Sequence, residues 1–335
     1  SARYYLGSIT RAEFIAALQA NSDAWDTLAA VAHRSGLAPL LLHALVTANG
    51  RTLLPGHIED SLRTFALRTA ARSMACLSAL ALALDLLQSE DIPVLGIKGI
   101  AFCALAPEYA ALRLLSDIDL WLPTTQITTA SAVLQEAGYV PDTTQRLLGP
   151  RDKHYLPLVC PATGVPIELH RRPWRPPVQV EPPEREMDVP PPPGHVSRPT
   201  PLPPLEYLVV IQALHAAICD AAPGCLRTAL DIAILAGLRS IEWGCVLDIA
   251  GQVGARHGLR TVLSHAAQAG ILSPPRSARL PVAREACLRA QPSDISLRLS
   301  AFGRLARRLG TYDGLLRWMR SEWHNRTWPE PDAFR

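Results

Sequence analysis

Asp117 and Asp119 flank Ile118 within the largely apolar run 94–122. Side chains alternate across a strand, so the two carboxylates point to one side while Ile118 faces the other, toward a core. Two like charges side by side on such a strand repel each other. A divalent cation relieves that repulsion, and hard cations such as Mg2+ prefer carboxylate oxygens. A third acid, Glu168, stands in Val165-Pro166-Ile167-Glu168-Leu169-His170 and shares its strand face with His170. Three carboxylates on two strands can hold two metal ions, which suits in-line phosphoryl chemistry. One ion lowers the pKa of an attacking hydroxyl, and the other neutralises the leaving phosphates. Upstream, Lys98-Gly99 sits at a turn between a short apolar stretch and a helical one. A helix start offers unpaired backbone N–H groups to anionic oxygens, glycine lets those oxygens approach, and lysine adds a charge.

The elements that position these residues follow from periodicity and punctuation. Residues 1–90 read as an N-terminal helical region. Ile9–Leu18, Asp23–His33 and Leu37–Val46 carry helical spacing, and Ile58–Ser89 has neither Gly nor Pro, predicting one long helix or two with a bend. Residues 91–172 read as strand, helix, strand, helix and hairpin. The strands are expected at Val94–Ile97, Asp117–Leu122 and from Tyr139, with the hairpin at Tyr155–Val159 and Val165–His170. Gly138 is expected to cap the helix that runs to Glu136. Residues 173–204 are crowded with proline and predict an extended linker or surface wrap. Residues 205–335 return to helix at Leu205–Ala217, Leu226–Leu238, Ile241–Val253, Arg260–Ala269 and within Ile295–Met319. The fold class expected is α+β.

Composition narrows the partners. A 48% hydrophobic and 19% charged chain buries a real core. A net charge of +3 and 6% aromatic residues do not favour a nucleic-acid surface. The longest uninterrupted apolar run, around Met74–Leu87, is short for a membrane span, so no membrane is expected. Seven dispersed cysteines with no CxxC pair, and a start without a basic-then-apolar leader pattern, predict a reduced, cytoplasmic protein.

Leu95-Gly96-Ile97-Lys98-Gly99, Arg113 with Ser116-Asp117-Ile118-Asp119-Leu120, His154 with Leu156-Pro157-Leu158, and Ile167-Glu168-Leu169-His170-Arg171 carry a resemblance. In this order they resemble the uncharacterised nucleotidyltransferase family of the polymerase-β superfamily, whose pattern is roughly LKG, R-x-x-x-D-h-D-h, H-h-P-h and h-[DE]-h-H. The likeness runs from about Leu95 to Arg172. It continues more weakly through Leu214-His215, Leu230-Asp231-Ile232-Ala233 and Trp243. It implies a small polymerase-β-like core flanked by helical regions. It implies transfer of a nucleoside monophosphate from a nucleoside triphosphate to a hydroxyl or other nucleophile of a small molecule or peptide. Asp117, Asp119 and Glu168 would hold Mg2+ or Mn2+, and Lys98, Gly99 and Arg113 would contact phosphates. The wider superfamily usually has Gly-Ser where this chain has Lys98-Gly99, and Asp where it has Glu168. Two alternatives stay open: transfer of another group from a nucleotide-activated donor, and a non-catalytic nucleotide-binding protein.

Each residue also has a plainer reading. The aspartates can be solvated acids at a strand end, on a strand buried on one face only. Glu168 can pair with Arg171 or Arg172, and Lys98 can be an ordinary turn lysine. Arg113 can clamp a phosphate or pair with Asp117 or Asp119. His154, His170 and His215 can be hydrogen-bonded structural residues. Asp231, buried in an apolar helix, needs a partner, and Arg227 one turn earlier is a candidate.

Overall fold

The N-terminal region begins with a capping box: the Thr10 hydroxyl accepts the Glu13 N–H at 3.2 Å, and Glu13 accepts the Thr10 N–H at 2.7 Å. Helices α1 (Arg11–Gln19), α2 (Trp25–Arg34) and α3 (Ala38–Thr47) follow. The computed structural model describes residues 7, 9–143, 155–174, 181–183, 187–190, 199–218 and 222–279. The expected helices within Ile295–Met319 lie outside the described residues, as does His154.

Helix α4 (Gly56–Ser89) is one continuous 34-residue helix. Its first half places Ile58 and Leu62 in an apolar cluster with Phe14, Trp25 and Leu41. Its second half, from Cys76 to Leu87, joins the larger cluster around the sheet. By length and composition α4 could cross a membrane, which corrects the expectation that no segment reaches that length. Its buried face lies in these two clusters, as the core helix of a folded domain requires.

The sheet has five strands: β1 (Leu95–Gly96), β2 (Ile118–Trp121), β3 (Val140–Pro141), β4 (Leu158–Val159) and β5 (Pro166–His170). Their spatial order is β1-β2-β5-β4-β3. The pair β2/β5 is parallel, and the other three pairs are antiparallel. Helix α5 (Lys98–Leu105) connects β1 toward β2, and α6 (Ile127–Glu136) ends at Gly138, whose φ of +88° suits glycine alone. Ile118, Leu120, Trp121 and Leu122 are all buried, so β2 is covered on both faces rather than one.

Within residues 173–204, the described parts lie against the edge of the sheet at β1 and against Thr124. Strands β6 (Met187–Val189) and β7 (Thr200–Leu202) pair antiparallel, and a Cβ on Gly96 would lie 3.0 Å from Thr200 Cγ2. Glu181 accepts from the backbone N–H and the hydroxyl of Thr124, both at 3.2 Å. Helices α7 (Leu205–Ile218), α8 (Ala222–Leu238), α9 (Trp243–Gln252) and α10 (Arg256–Gln268) complete the described fold. Leu208, Ile211, Ile232 and Leu263 share one apolar cluster with the sheet residues Ile118, Leu120 and Ile167. The core is therefore continuous across the composition boundary near residue 205.

Candidate active site

Strand β2 sits beside β5 in a register that sets Asp119 opposite Glu168 and Trp121 opposite His170. Adjacent strands lie about 4.8 Å apart, which brings side chains on one face together. His170 Nε2 lies 2.6 Å from Asp119 Oδ1 and 3.1 Å from Glu168 Oε2. Its other ring nitrogen, Nδ1, lies 3.2 Å from the Arg172 carbonyl, to which its N–H donates. That bond turns Nε2 toward the two carboxylates.

Lys98 approaches the same carboxylates from the β1–α5 junction. The Ile97 N–H donates to the Asp119 carbonyl at 3.1 Å, which holds the junction against β2. Lys98 then takes φ +54°, the left-handed region that non-glycine residues occupy sparingly. Its Nζ forms a buried ion pair with Asp119 Oδ1 and lies 3.9 Å from Glu168 Oε2. Burial pushes the Asp119 carboxyl up, but the Lys98 charge and the His170 hydrogen bond together hold it well below the usual carboxylate range. Asp117 lies just before β2 and accepts the Ser116 hydroxyl at 2.9 Å. Burial, then the charges of Asp119 and Glu168, push its carboxyl up.

Of the expected metal triad, the structure gathers Asp119 and Glu168, adds His170, and leaves Asp117 at the margin, close enough to feel the other charges. One ligand atom from each of Asp119, Glu168 and His170 lies within 4.8 Å of the others. Ligands in neighbouring positions around Mg2+, bonded at 2.0–2.1 Å, are separated by about 3 Å. The contacts of His170 Nε2 with both acids already have that spacing. A histidine whose Nδ1–H is fixed on a backbone carbonyl, with Nε2 turned to acids, also has the usual outer support of a metal ligand. The donor set fits a divalent cation. The sequence signal for His170 was its place on the Glu168 face; its approach to Asp119 depends on the parallel pairing.

Arg113 stands against a partner that the sequence reading did not offer, while its guanidinium also reaches toward the Gly99 turn, with Nη2 3.9 Å from where a Cβ on Gly99 would lie. Its Nε donates to both oxygens of Asp231 in α8, at 3.0 and 3.2 Å, and the pair is buried. Asp231 thus has its partner across the fold, from the loop before β2, rather than only one turn away at Arg227. The same loop is tied to α4: Ser73 Oγ donates to the Arg113 carbonyl at 2.8 Å, and Arg72 donates to the Ser116 carbonyl at 2.5 Å. Gly99 packs under this loop. A Cβ there would lie 2.6 Å from Leu115 Cδ2, so close approach of the loop is one reason for glycine. Lys98 is an ion-paired site residue, not a plain turn lysine. Glu168 lies against both Lys98 and His170.

A mixed sheet with acids aligned on neighbouring parallel strands, beside a Lys-Gly helix start, defines an α+β nucleotidyltransferase core. The chain belongs to the uncharacterised nucleotidyltransferase family, whose model matches residues 21–269, and it is an enzyme of the nucleotidyltransferase class. The match extends beyond the resemblance at 95–172 into the helices on both sides. No curated protein matches the chain. Among solved structures, it is similar to the solution structure of the antibiotic-resistance factor ANT(2'')-Ia. The identity is 14% and the TM-score 0.37, over 59% of this chain and 99% of that one.

Proposed function

We propose that the protein transfers a nucleoside monophosphate from a nucleoside triphosphate to a hydroxyl or other nucleophile of a small molecule or peptide, with Mg2+ or Mn2+. The observation that carries this reading is the β2/β5 register, which aligns Asp119 with Glu168 and brings His170 onto both. Asp119, Glu168 and His170 would hold a cation, with Asp117 at its edge. The cation would supply charge neutralisation at the phosphates and a lower pKa at the attacking hydroxyl. The backbone N–H of Gly99, at the start of α5, and the Lys98 ammonium would hold phosphate oxygens. Glu168 would accept the proton of the acceptor hydroxyl. Little else is needed, because phosphoryl transfer is mainly positioning and charge stabilisation. Cys76, Cys103 and Cys160 are free thiols, which suits the reduced, cytoplasmic setting that belongs to this proposal.

The test is incubation with each of the four radiolabelled triphosphates, Mg2+ or Mn2+, and panels of hydroxyl-bearing small molecules and peptides, reading labelled acceptor and pyrophosphate. Glu168→Gln is expected to keep nucleotide affinity and lower the single-turnover rate about 100-fold or more, the scale of a lost general base. Transfer by Glu168→Gln at the wild-type rate would remove Glu168 from the chemistry.

A further inference from the structure

The chain has 33 Lys and Arg residues, and only two of them, Lys98 and Lys153, are lysines. One of the two is buried in the candidate active site, at 7% exposure, on a left-handed backbone. Its ammonium contacts Asp119 and faces Glu168, two of the three residues that could hold a cation. Arginine would present a flat fork on a longer stem, whereas an ammonium is a compact point charge on a flexible stem. A compact charge can stand where a small cation would stand and can then swing away.

We propose that Lys98 is an internal stand-in for the divalent cation: it neutralises Asp119 and Glu168 in the free enzyme and must leave them before metal binds. This rests on the function proposed above and deepens it by assigning Lys98 two positions. In the first, its ammonium lies on the acids and keeps three neighbouring carboxylates from repelling one another. In the second, it lies on the polyphosphate, which is more strongly anionic than the pair of acids and draws it off them. The free enzyme therefore discriminates against metal alone, and the arrival of nucleotide opens the carboxylates. The two positions account for a lysine that faces acids here while standing at a helix start suited to phosphate.

The experiment is Mn2+ binding to the full chain without nucleotide, by calorimetry and by the paramagnetic signal of free Mn2+, for wild type, Lys98→Met, Lys98→Arg and Asp119→Asn. Lys98→Met is expected to bind Mn2+ at least tenfold more tightly than wild type. Lys98→Arg keeps the charge but not its compact shape, and is expected to bind Mn2+ more tightly than wild type and less tightly than Lys98→Met. Equal or weaker Mn2+ binding by Lys98→Met, with Asp119→Asn still weakened, overturns the stand-in and leaves the metal site standing. Mn2+ binding unchanged by Asp119→Asn overturns the metal reading itself. A second measurement needs no variant. Wild type is treated with acetic anhydride and the acetylation of Lys98 is read by mass spectrometry against Lys153. Mn2+ is expected to raise Lys98 acetylation at least threefold as the ammonium leaves the acids; no rise in Mn2+-saturated protein overturns the proposal.

Discussion

Replacing Asp231 by Ala would leave the Arg113 guanidinium buried without its carboxylate. Arg113 Nε lies 3.0 Å from one oxygen of Asp231 and 3.2 Å from the other, and the Asp231 side chain is only 2% exposed. Water cannot take the place of the lost partner at that depth. Removing one member of a buried pair costs about 3–5 kcal/mol, mostly because the remaining charge is uncompensated. One kcal/mol moves the melting point of a domain of this size by about 2–4 °C, so Asp231→Ala should melt roughly 6–20 °C lower. The pair also ties α8 to the loop that leads into Asp117, so the loss should reach the site as weaker metal binding. Urea unfolding and thermal melts of wild type, Asp231→Ala and the double variant Arg113→Met/Asp231→Leu measure it. The double variant replaces the pair with apolar groups and should recover most of the loss, because burying a pair gains little over burying hydrophobic residues. A loss under about 1 kcal/mol in Asp231→Ala would refute the reasoning, since a desolvated, unpaired guanidinium cannot be that cheap.

Gly99→Ala should destabilise the protein by about 1–3 kcal/mol, the usual cost of overpacking, because its Cβ would meet buried Leu115 Cδ2 at 2.6 Å. Urea unfolding measures this, and an unchanged midpoint would mean that Leu115 moves aside freely. Asp117→Asn should raise the melting temperature in EDTA at neutral pH. Burial, Asp119 and Glu168 raise the folded-state pKa of Asp117, so its ionised form costs stability there, and the amide removes that cost. A lower melting temperature in EDTA would show that the folded protein stabilises the Asp117 charge more than burial and its acidic neighbours oppose it.

The candidate chemistry was legible because acids in apolar strands are costly and therefore conspicuous. Asp117, Asp119 and Glu168 stand out by residue type, and the period of two is enough to assign Asp117 and Asp119 to one face. The helices were legible for a similar reason. The lack of Gly and Pro over Ile58–Ser89 leaves one long helix as the economical choice, and that is α4. Gly138 marks the end of α6 because few other residues tolerate its φ.

What tertiary structure alone decided is which groups meet across long separations. Periodicity gives a face but not a neighbour, so the parallel pairing of β2 with β5, and with it the meeting of Asp119, Glu168 and His170, had no local signal. Arg113 shows the same limit. It stands four residues before Asp117, which suggested a phosphate or those aspartates, yet burial required a partner and the packing of α8 supplied Asp231, 118 residues away. Lys98 likewise reads as a phosphate contact from its helix start, while the fold sets its charge on Asp119. Residue type and spacing determined that this chain carries charges at a nucleotidyltransferase-like site. Packing determined which charges neutralise one another, because burial makes an unpaired charge too costly to keep.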